Sequence, residues 1–192
     1  MVKSGDEMLF HQKIQDEASR MITLIDDIIL ISKLDESDSG IDELCEDVSL
    51  DSVVCEAISV LAQKSAEKNI TVNFNSSGVH MTANRSQIYE LFFNLIDNGI
   101  KYNKQNGKVD VDIRNDSGNI QISVSDTGIG IPKDAQNRVF ERFYRVDKSR
   151  SKATGGTGLG LAIVKHIVLA HKGKIHLESE MDKGTVIIVI FD

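Results

Sequence analysis

The chain has 192 residues and a formal net charge of −7, with 41% apolar and 27% charged residues. This length fits one domain of average size with a short appendage, and the composition is that of an ordinary globular protein. The acidic balance argues against a nucleic-acid partner, which needs an excess of Lys and Arg, but it remains compatible with a basic pocket for one nucleotide.

The two cysteines, Cys45 and Cys55, lack the spacing of a metal site. They therefore favour a reduced, cytoplasmic environment over a disulfide-stabilised one. The longest apolar run, Val186 to Phe191, has the length of a strand. A membrane-spanning helix needs roughly 18 apolar residues, so none is expected in this sequence.

The N-terminal part of the chain is expected to contain three segments. Residues 1–6 are expected to be an appended or disordered terminus, outside the fold. A helix is predicted from residue 7 to 34, because the segment has no Gly or Pro and its apolar positions recur in steps of three and four. Such an apolar stripe needs a partner helix. Residues 37–47 are strongly acidic and are interpreted as a linker.

The remainder, 48–192, alternates between strand and helix patterns and is predicted to be an α+β domain. Predicted strands cover 48–50, 70–75, 79–82, 108–114, 119–125, 174–179 and 185–191, and predicted helices cover 52–68, 84–102 and 159–171. The turn at 116–119 predicts a hairpin. The only proline, Pro132, is typical of the start of a short helix.

One predicted helix carries a polar face made of Asn94, Asn98 and Lys101. Spacings of four and three residues place these side chains on roughly the same side of a helix. An amide oxygen is a neutral hard ligand for Mg²⁺, and a lysine can hold a phosphate as a point charge. Taken alone, the pattern also fits a solvated helix face.

The string Asp126-Thr127-Gly128-Ile129-Gly130 directly follows a predicted strand. Glycines allow the backbone to approach a flat ligand closely. The carboxylate of Asp126 can accept a hydrogen bond from an amino group such as adenine N6, whereas guanine presents an oxygen there. The string therefore suggests selection of ATP over GTP, with an ordinary turn as the alternative.

Two further blocks flank a polar, basic segment at 147–154, which is interpreted as a lid over a nucleotide. Before it, Phe140 and Phe143 can pin a mobile segment to the domain, and Arg145 can reach a phosphate. After it comes Gly156-Thr157-Gly158-Leu159-Gly160, at the start of a predicted helix. The N–H groups and the dipole of a helix N-terminus attract phosphate.

The same glycines also suggest a dinucleotide-binding oxidoreductase. That fingerprint follows a strand directly and has a different spacing of its third glycine. Here the glycines follow a polar, basic stretch, which disfavours this alternative. Stabilisation of the chain by NAD but not by ATP would revive it.

In their order, the four blocks resemble the N, G1, F and G2 boxes of bacterial sensor histidine kinases, which share an ATPase superfamily with gyrase and heat-shock chaperones. The strings that carry the resemblance are NLIDNGIKYN, DTGIGIP, FERFYRVDKSRS and GGTGLGLAIVKHI. It covers about 48–192, and residues 7–36 resemble the second helix of the family's dimerisation hairpin. The resemblance implies a two-layer α/β sandwich, the Bergerat ATP-binding fold, with helices on one face of a mixed sheet and a long helix before it.

The resemblance also implies a role for each matching residue in a site for ATP and Mg²⁺. Asn98 would hold Mg²⁺, and Asn94, Lys101 and Arg145 would act on the phosphates as the other catalytic residues. Tyr102 would lie against adenine and Asp126 would bind its N6 group. The remaining implied nucleotide-binding residues are Gly128, Gly130, Gly156, Thr157, Gly158, Leu159, Gly160 and Thr185.

The implied activity is transfer of the γ-phosphoryl group of ATP to a histidine in two-component signalling. The family's acceptor is a His followed by an acidic residue, with a Pro five positions after the His, and no histidine here fits, His11 included. The acceptor would therefore come from the other helix of a parent kinase's hairpin. The parent would form a homodimer attached to the inner face of the membrane, and a response regulator would receive the phosphate.

One alternative within the same fold stays open, a nucleotide-dependent interaction module that binds ATP without transferring it. Asn94 indicates how fast ATP is hydrolysed, whether the chain is a kinase or an interaction module. Hydrolysing members of the superfamily carry a Glu at this position to activate water, and Asn cannot serve as that base. Slow hydrolysis is therefore expected.

Overall fold

The computed structural model of the protein describes residues 4–36, 45–146 and 156–192. The first helix, α1, spans Ser4–Glu36, so helical structure begins three residues ahead of the predicted start at residue 7. Most of the predicted acidic linker, residues 37–44, lies outside the described residues, as does the predicted lid at 147–154.

The seven strands and three long helices predicted for the second part of the chain all form, with bounds that differ from the prediction by no more than two residues. In chain order they are β1 (Glu46–Ser49), α2 (Leu50–Glu67), β2 (Thr71–Asn75), β3 (His80–Ala83), α3 (Arg85–Lys101), β4 (Lys108–Asp116), β5 (Asn119–Asp126), α4 (Gly160–Ala170), β6 (Lys174–Glu180) and β7 (Gly184–Phe191).

The larger sheet has the strand order β2-β4-β5-β7-β6, and β1 and β3 form a separate antiparallel pair. Strand β2 runs parallel to β4, whereas the other neighbours are antiparallel, which makes the sheet mixed. Strand residues such as Val109, Val111 and Ile122 are fully buried, and they alternate with polar residues on the opposite face. Helices therefore cover one face, which confirms the predicted two-layer α+β fold.

Helix α3 lies at the centre of the helical layer because its apolar residues form a continuous stripe. Ile88, Leu91, Phe92 and Ile96 have no exposed surface. The helix begins after Asn84, whose side-chain oxygen accepts a hydrogen bond from the backbone N–H of Gln87 at 3.2 Å. This cap satisfies one of the donors that the first turn leaves free. The opposite face of α3 is left available for polar residues.

Among the described side chains of α1, the one that is buried against the domain lies near the C-terminal end of the helix. Ile31 belongs to the common core and is 6% exposed, and the helix contacts α4. Phe10, Ile14 and Met21, by contrast, are more than half exposed. The apolar stripe thus lacks a partner helix within the described part of the chain. Among the described helices, none combines the length and the apolar character needed to cross a bilayer.

The segment after Pro132 differs from the prediction of a short helix. It forms successive turns, in which the N–H of Ala135 donates to Pro132 O and that of Arg138 donates to Ala135 O, both at 2.9 Å. Bonds that span three residues give a tighter and poorer geometry than those of an α-helix. The segment therefore begins as a turn at Pro132, as expected of a residue with a fixed φ, but it does not continue as a regular helix.

Candidate functional site

A cavity of about 1010 Å³ lies beside the polar face of α3. Its walls come from α2, α3, the ends of β5 and β7, the turns after Pro132 and the glycine-rich start of α4, with α1 at one side. Every predicted site residue lines this cavity except Gly128 and Leu159. Leu159 is instead fully buried in the core, and Gly128 packs against the backbone carbonyl of Tyr102.

The amides and the lysine of α3 point into the cavity, as their helical spacing predicts. The Nδ2 group of Asn94 donates to the backbone oxygen of Glu90 at 2.8 Å and to its carboxylate Oε2 at 3.3 Å. The ammonium of Lys101 lies 5.6 Å from the centroid of the Tyr102 ring. Burial lowers the pKa of Lys101 to about 8, although the nearby carboxylate of Asp97 acts in the opposite direction.

Arg145 brings a second cation to the same cavity. Its Nε and Nη2 atoms are buried and have no hydrogen-bond partner among the described residues. Its charge contributes to the lowered pKa of Lys101, after burial and the charge of Lys64. Buried guanidinium groups are normally hydrogen-bonded, so atoms left in this condition mark a place where an anionic ligand fits.

Glycines allow the loop before α4 to approach these side chains. A Cβ atom at Gly156 would lie 2.6 Å from Lys101 Nζ, and one at Gly160 would lie 2.6 Å from Asn94 Oδ1. Gly158 has a φ of +77°, which favours glycine. Any larger residue at 156 or 160 would therefore fill the space between the loop and the polar face of α3.

Phe143, one of the two phenylalanines before the lid segment, differs from the prediction. Phe143 is 58% exposed and does not pin the segment by burial. Its backbone N–H instead donates to Gly158 O at 2.9 Å, and its φ is +62°. The link between this segment and the glycine-rich loop is thus a main-chain hydrogen bond, which a pattern of side chains cannot reveal.

Asp126 provides a single carboxylate at the end of β5. Its Oδ1 accepts a hydrogen bond from the N–H of Gly128 at 2.7 Å. Burial raises the pKa of Asp126, and the backbone N–H groups of Gly128 and Thr185 act against that rise. Thr185 is itself only 8% exposed. Gly184 has a φ of +119°, and a Cβ there would overlap the carbonyl oxygen of Asp126.

Four carboxylates in the cavity were not among the predicted site residues: Asp27, Glu67, Glu90 and Asp97. Asp27 of α1 accepts a hydrogen bond from the hydroxyl of Thr157 at 2.7 Å, and burial raises its pKa. Burial and the charge of Asp27 likewise raise the pKa of Glu90. The spacing of four residues between Glu90 and Asn94 is a signal that sequence reasoning can use. No sequence signal connects Asp27 with Thr157.

The family of histidine kinase-, DNA gyrase B- and HSP90-like ATPases has a model that matches residues 83–192. Sensor-like histidine kinase SenX3 of Mycolicibacterium smegmatis is 40% identical over 177 residues, which are 92% of this chain and 46% of that protein. The chain thus spans less than half the length of this relative.

Solved structures agree with the observed fold. That of the mycobacterial sensor histidine kinase MprB has a TM-score of 0.67 and 28% identity, covering 77% of this chain and 97% of that one. The structure of histidine kinase ThkA in complex with response regulator protein TrrA has a TM-score of 0.74 and 22% identity, and covers 100% of this chain and 52% of that one. The likeness to ThkA concerns the fold alone, and it includes the long first helix.

Proposed function

The chain belongs to the family of histidine kinase-, DNA gyrase B- and HSP90-like ATPases and carries the ATP-binding domain of histidine kinases, and on this premise we propose how it acts. It binds Mg-ATP in the cavity beside α3 and transfers the γ-phosphoryl group to a histidine outside this sequence. It serves in this way as the catalytic part of a sensor histidine kinase in two-component signalling.

The observation that carries the proposal is the pair of cations in the cavity. Lys101 has a lowered pKa because it is buried, and two nitrogen atoms of Arg145 are buried without a partner among the described residues. A triphosphate supplies hydrogen-bond acceptors and negative charge to both side chains. The glycine-rich start of α4 adds backbone N–H groups on the same side.

The donor set also fits magnesium. Mg²⁺ is usually held by one or two protein oxygens together with substrate phosphates, and Asn98, whose side chain carries one amide oxygen, lines this cavity. Within the described residues, no cluster of three His, Cys, Asp or Glu side chains competes as a metal cage. Asn98 would hold the ion, which when bound supplies positive charge to the phosphates.

We assign the adenine to the end of the cavity formed by Asp126, Tyr102 and Thr185. The carboxylate of Asp126 accepts the adenine N6 hydrogen, whereas the oxygen of guanine at that position would be repelled. The buried position of Asp126 strengthens this discrimination, because a hydrogen bond to a charged group is worth more away from water. ATP is therefore preferred over GTP.

The transfer step follows from positioning and charge. A nitrogen of the acceptor imidazole attacks the γ-phosphorus, the bond from that phosphorus to the β–γ bridging oxygen breaks, and ADP leaves with the electron pair. Lys101 and Arg145 neutralise the phosphate charge as it shifts toward ADP. The Nδ2 group of Asn94 is held by Glu90, and an amide cannot take a proton from water, so hydrolysis stays slow.

The acceptor histidine, on this proposal, lies on the other helix of a parent kinase's dimerisation hairpin. The exposed apolar residues of α1, including Phe10, Ile14 and Met21, would pair with that helix in a homodimer of the parent, attached to the inner face of the membrane. A response regulator would then receive the phosphate.

The test is to mix the chain with an acceptor-bearing hairpin from its parent, Mg²⁺ and ATP labelled at the γ-phosphate. The expected product is an acid-labile phosphohistidine on the hairpin. Arg145→Ala should abolish most of the label, whereas the matched control Arg114→Ala, an exposed arginine of β4 outside the cavity, should not. Tight ATP binding without any label would favour the interaction module instead, and a failure to bind ATP would exclude both.

A further inference from the structure

The side chain of Asn94 is held in one orientation by two acceptors on the preceding turn of α3. Its Nδ2 group donates to the backbone oxygen of Glu90 at 2.8 Å and to Oε2 of the same residue at 3.3 Å. Reversing the amide would bring its oxygen, which can only accept hydrogen bonds, against two other acceptors. The backbone oxygen and the carboxylate of Glu90 therefore together select the orientation in which Oδ1 points away from them, and the carboxylate is the acceptor that depends on the side chain at this position.

The free oxygen of Asn94 faces the glycine-rich loop. The position that a Cβ atom would take at Gly160 lies 2.6 Å from Asn94 Oδ1 and 3.6 Å from Asn98 Nδ2. Both amides thus converge on the start of α4, at the cavity wall. An amide oxygen can contact a cation or accept a hydrogen bond, but it cannot donate to a phosphate oxygen. In this orientation Asn94 can contact the metal ion of a metal–nucleotide complex, and not its phosphate oxygens.

Among the residues that the structure describes, Asn94 is the hydrogen-bond partner of the Glu90 side chain. Glu90 lines the cavity and is half-buried, and it forms no ion pair with a Lys or Arg of the described residues. Burial and the charge of Asp27 both oppose its ionisation, whereas the hydrogen bond from Asn94 favours it.

We propose that Glu90 is a positioning residue for magnesium: it fixes the amide of Asn94 so that Oδ1 serves the cation of the bound Mg-nucleotide. The inference rests on the proposed function, because it presumes that a nucleotide and Mg²⁺ occupy this cavity. Glu90 itself touches neither ligand. Its effect is therefore on how much Mg²⁺ strengthens nucleotide binding, and not on nucleotide binding without metal.

The experiment measures binding of a non-hydrolysable ATP analogue by calorimetry, with Mg²⁺ and with EDTA, and takes the ratio of the two affinities. Glu90→Ala should lower this ratio by about tenfold or more, the usual effect of removing a residue that orients a metal-binding group. The affinity in EDTA should change little. Glu90→Gln should restore most of the ratio, because its side-chain oxygen can accept the same hydrogen bond from Asn94.

Three further variants separate positioning from other roles. Glu178→Ala removes an exposed carboxylate of β6 outside the cavity and should leave the ratio unchanged. Asn94→Ala should lower the ratio, and adding Glu90→Ala to it should lower it little further, since the two residues act as one unit. Thermal unfolding without ligand checks that each variant is folded.

The outcomes distinguish the inference from the function on which it rests. An unchanged ratio in Glu90→Ala, or additive effects of the two substitutions, would overturn the positioning role while ATP binding stands. Equal losses in Glu90→Gln and Glu90→Ala would also overturn it, because charge and not the hydrogen bond would then be responsible. If the unaltered chain binds no nucleotide under either condition, the proposed function fails and the inference fails with it.

Discussion

Nucleotide affinity should fall as the pH rises through about 8, because Lys101 must carry a proton to hold phosphate. An ordinary lysine keeps its proton to a pH of about 10.4. Burial favours the neutral amine and lowers the pKa of Lys101 to about 8 in the free protein. A bound phosphate favours the charged form and raises that pKa again. Below pH 8 the charge is already present, whereas above it binding must take up a proton and becomes weaker.

The size of the effect follows from the pKa of Lys101. With a pKa of about 8, the protonated fraction falls from roughly nine tenths one pH unit below that value to roughly one tenth one unit above it. Affinity should therefore drop by about tenfold over that interval, which corresponds to ~1.4 kcal/mol. At the pKa itself, binding should take up about half a proton.

Calorimetric titration with an ATP analogue in two buffers of different ionisation enthalpy measures both the affinity and the proton uptake. Lys101→Arg is the matched control, because a guanidinium stays charged throughout this range. Tyr102 does not interfere, since burial raises its pKa. A flat affinity of the unaltered chain up to about pH 9, or a pH dependence that persists in Lys101→Arg, would show that Lys101 is not the phosphate-binding cation.

Three further substitutions test the adenine contact, a close backbone approach and a helix cap. Asp126→Asn should weaken binding of an ATP analogue in calorimetry by about 1.5–3 kcal/mol, the range for hydrogen bonds to charged groups. Gly184→Ala and Gly118→Ala both place an alanine at a positive φ, which should lower the free energy of unfolding in urea by roughly 1–2 kcal/mol at Gly118. The loss at Gly184 should be well above that value, because only there would the new Cβ overlap a carbonyl oxygen. Asn84→Ala should cost about 1 kcal/mol in the same assay, whereas Ser49→Ala should cost less because Ser49 makes no capping hydrogen bond.

The secondary structure was largely predictable because local patterns determine it. The helical spacing of the apolar residues in α3 is enough to predict that Leu91 and Ile96 are buried, without knowledge of the elements that pack against them. The hairpin between β4 and β5 turns at Ser117 and Gly118, both with positive φ, as its sequence indicates. The segment after Pro132 was less predictable, because a proline fixes the first turn but not what the chain does afterwards.

The candidate site was predictable where one element carries several of its residues. Asn94, Asn98 and Lys101 share a helix, so their spacing brings them to the same cavity. Leu159 shows the limit of such reasoning, since it is buried in the core although the string that contains it is predicted to bind phosphate. Asp27 shows another limit, because its hydrogen bond to Thr157 joins residues 130 positions apart and depends on how α1 packs.

The charges around the cavity explain why the gain in nucleotide affinity from Mg²⁺ is more informative than the nucleotide affinity alone. A bare triphosphate would meet the cations Lys101 and Arg145, but also the half-buried carboxylate of Asp27. Repulsion from this carboxylate offsets part of the attraction to the two cations. A divalent ion bound with the nucleotide removes most of that repulsion, so the gain in affinity from Mg²⁺ should exceed the gain expected from an amide ligand alone. Removal of the Asp27 carboxylate should therefore reduce this gain, whereas variants of the two cations act on nucleotide affinity with and without metal.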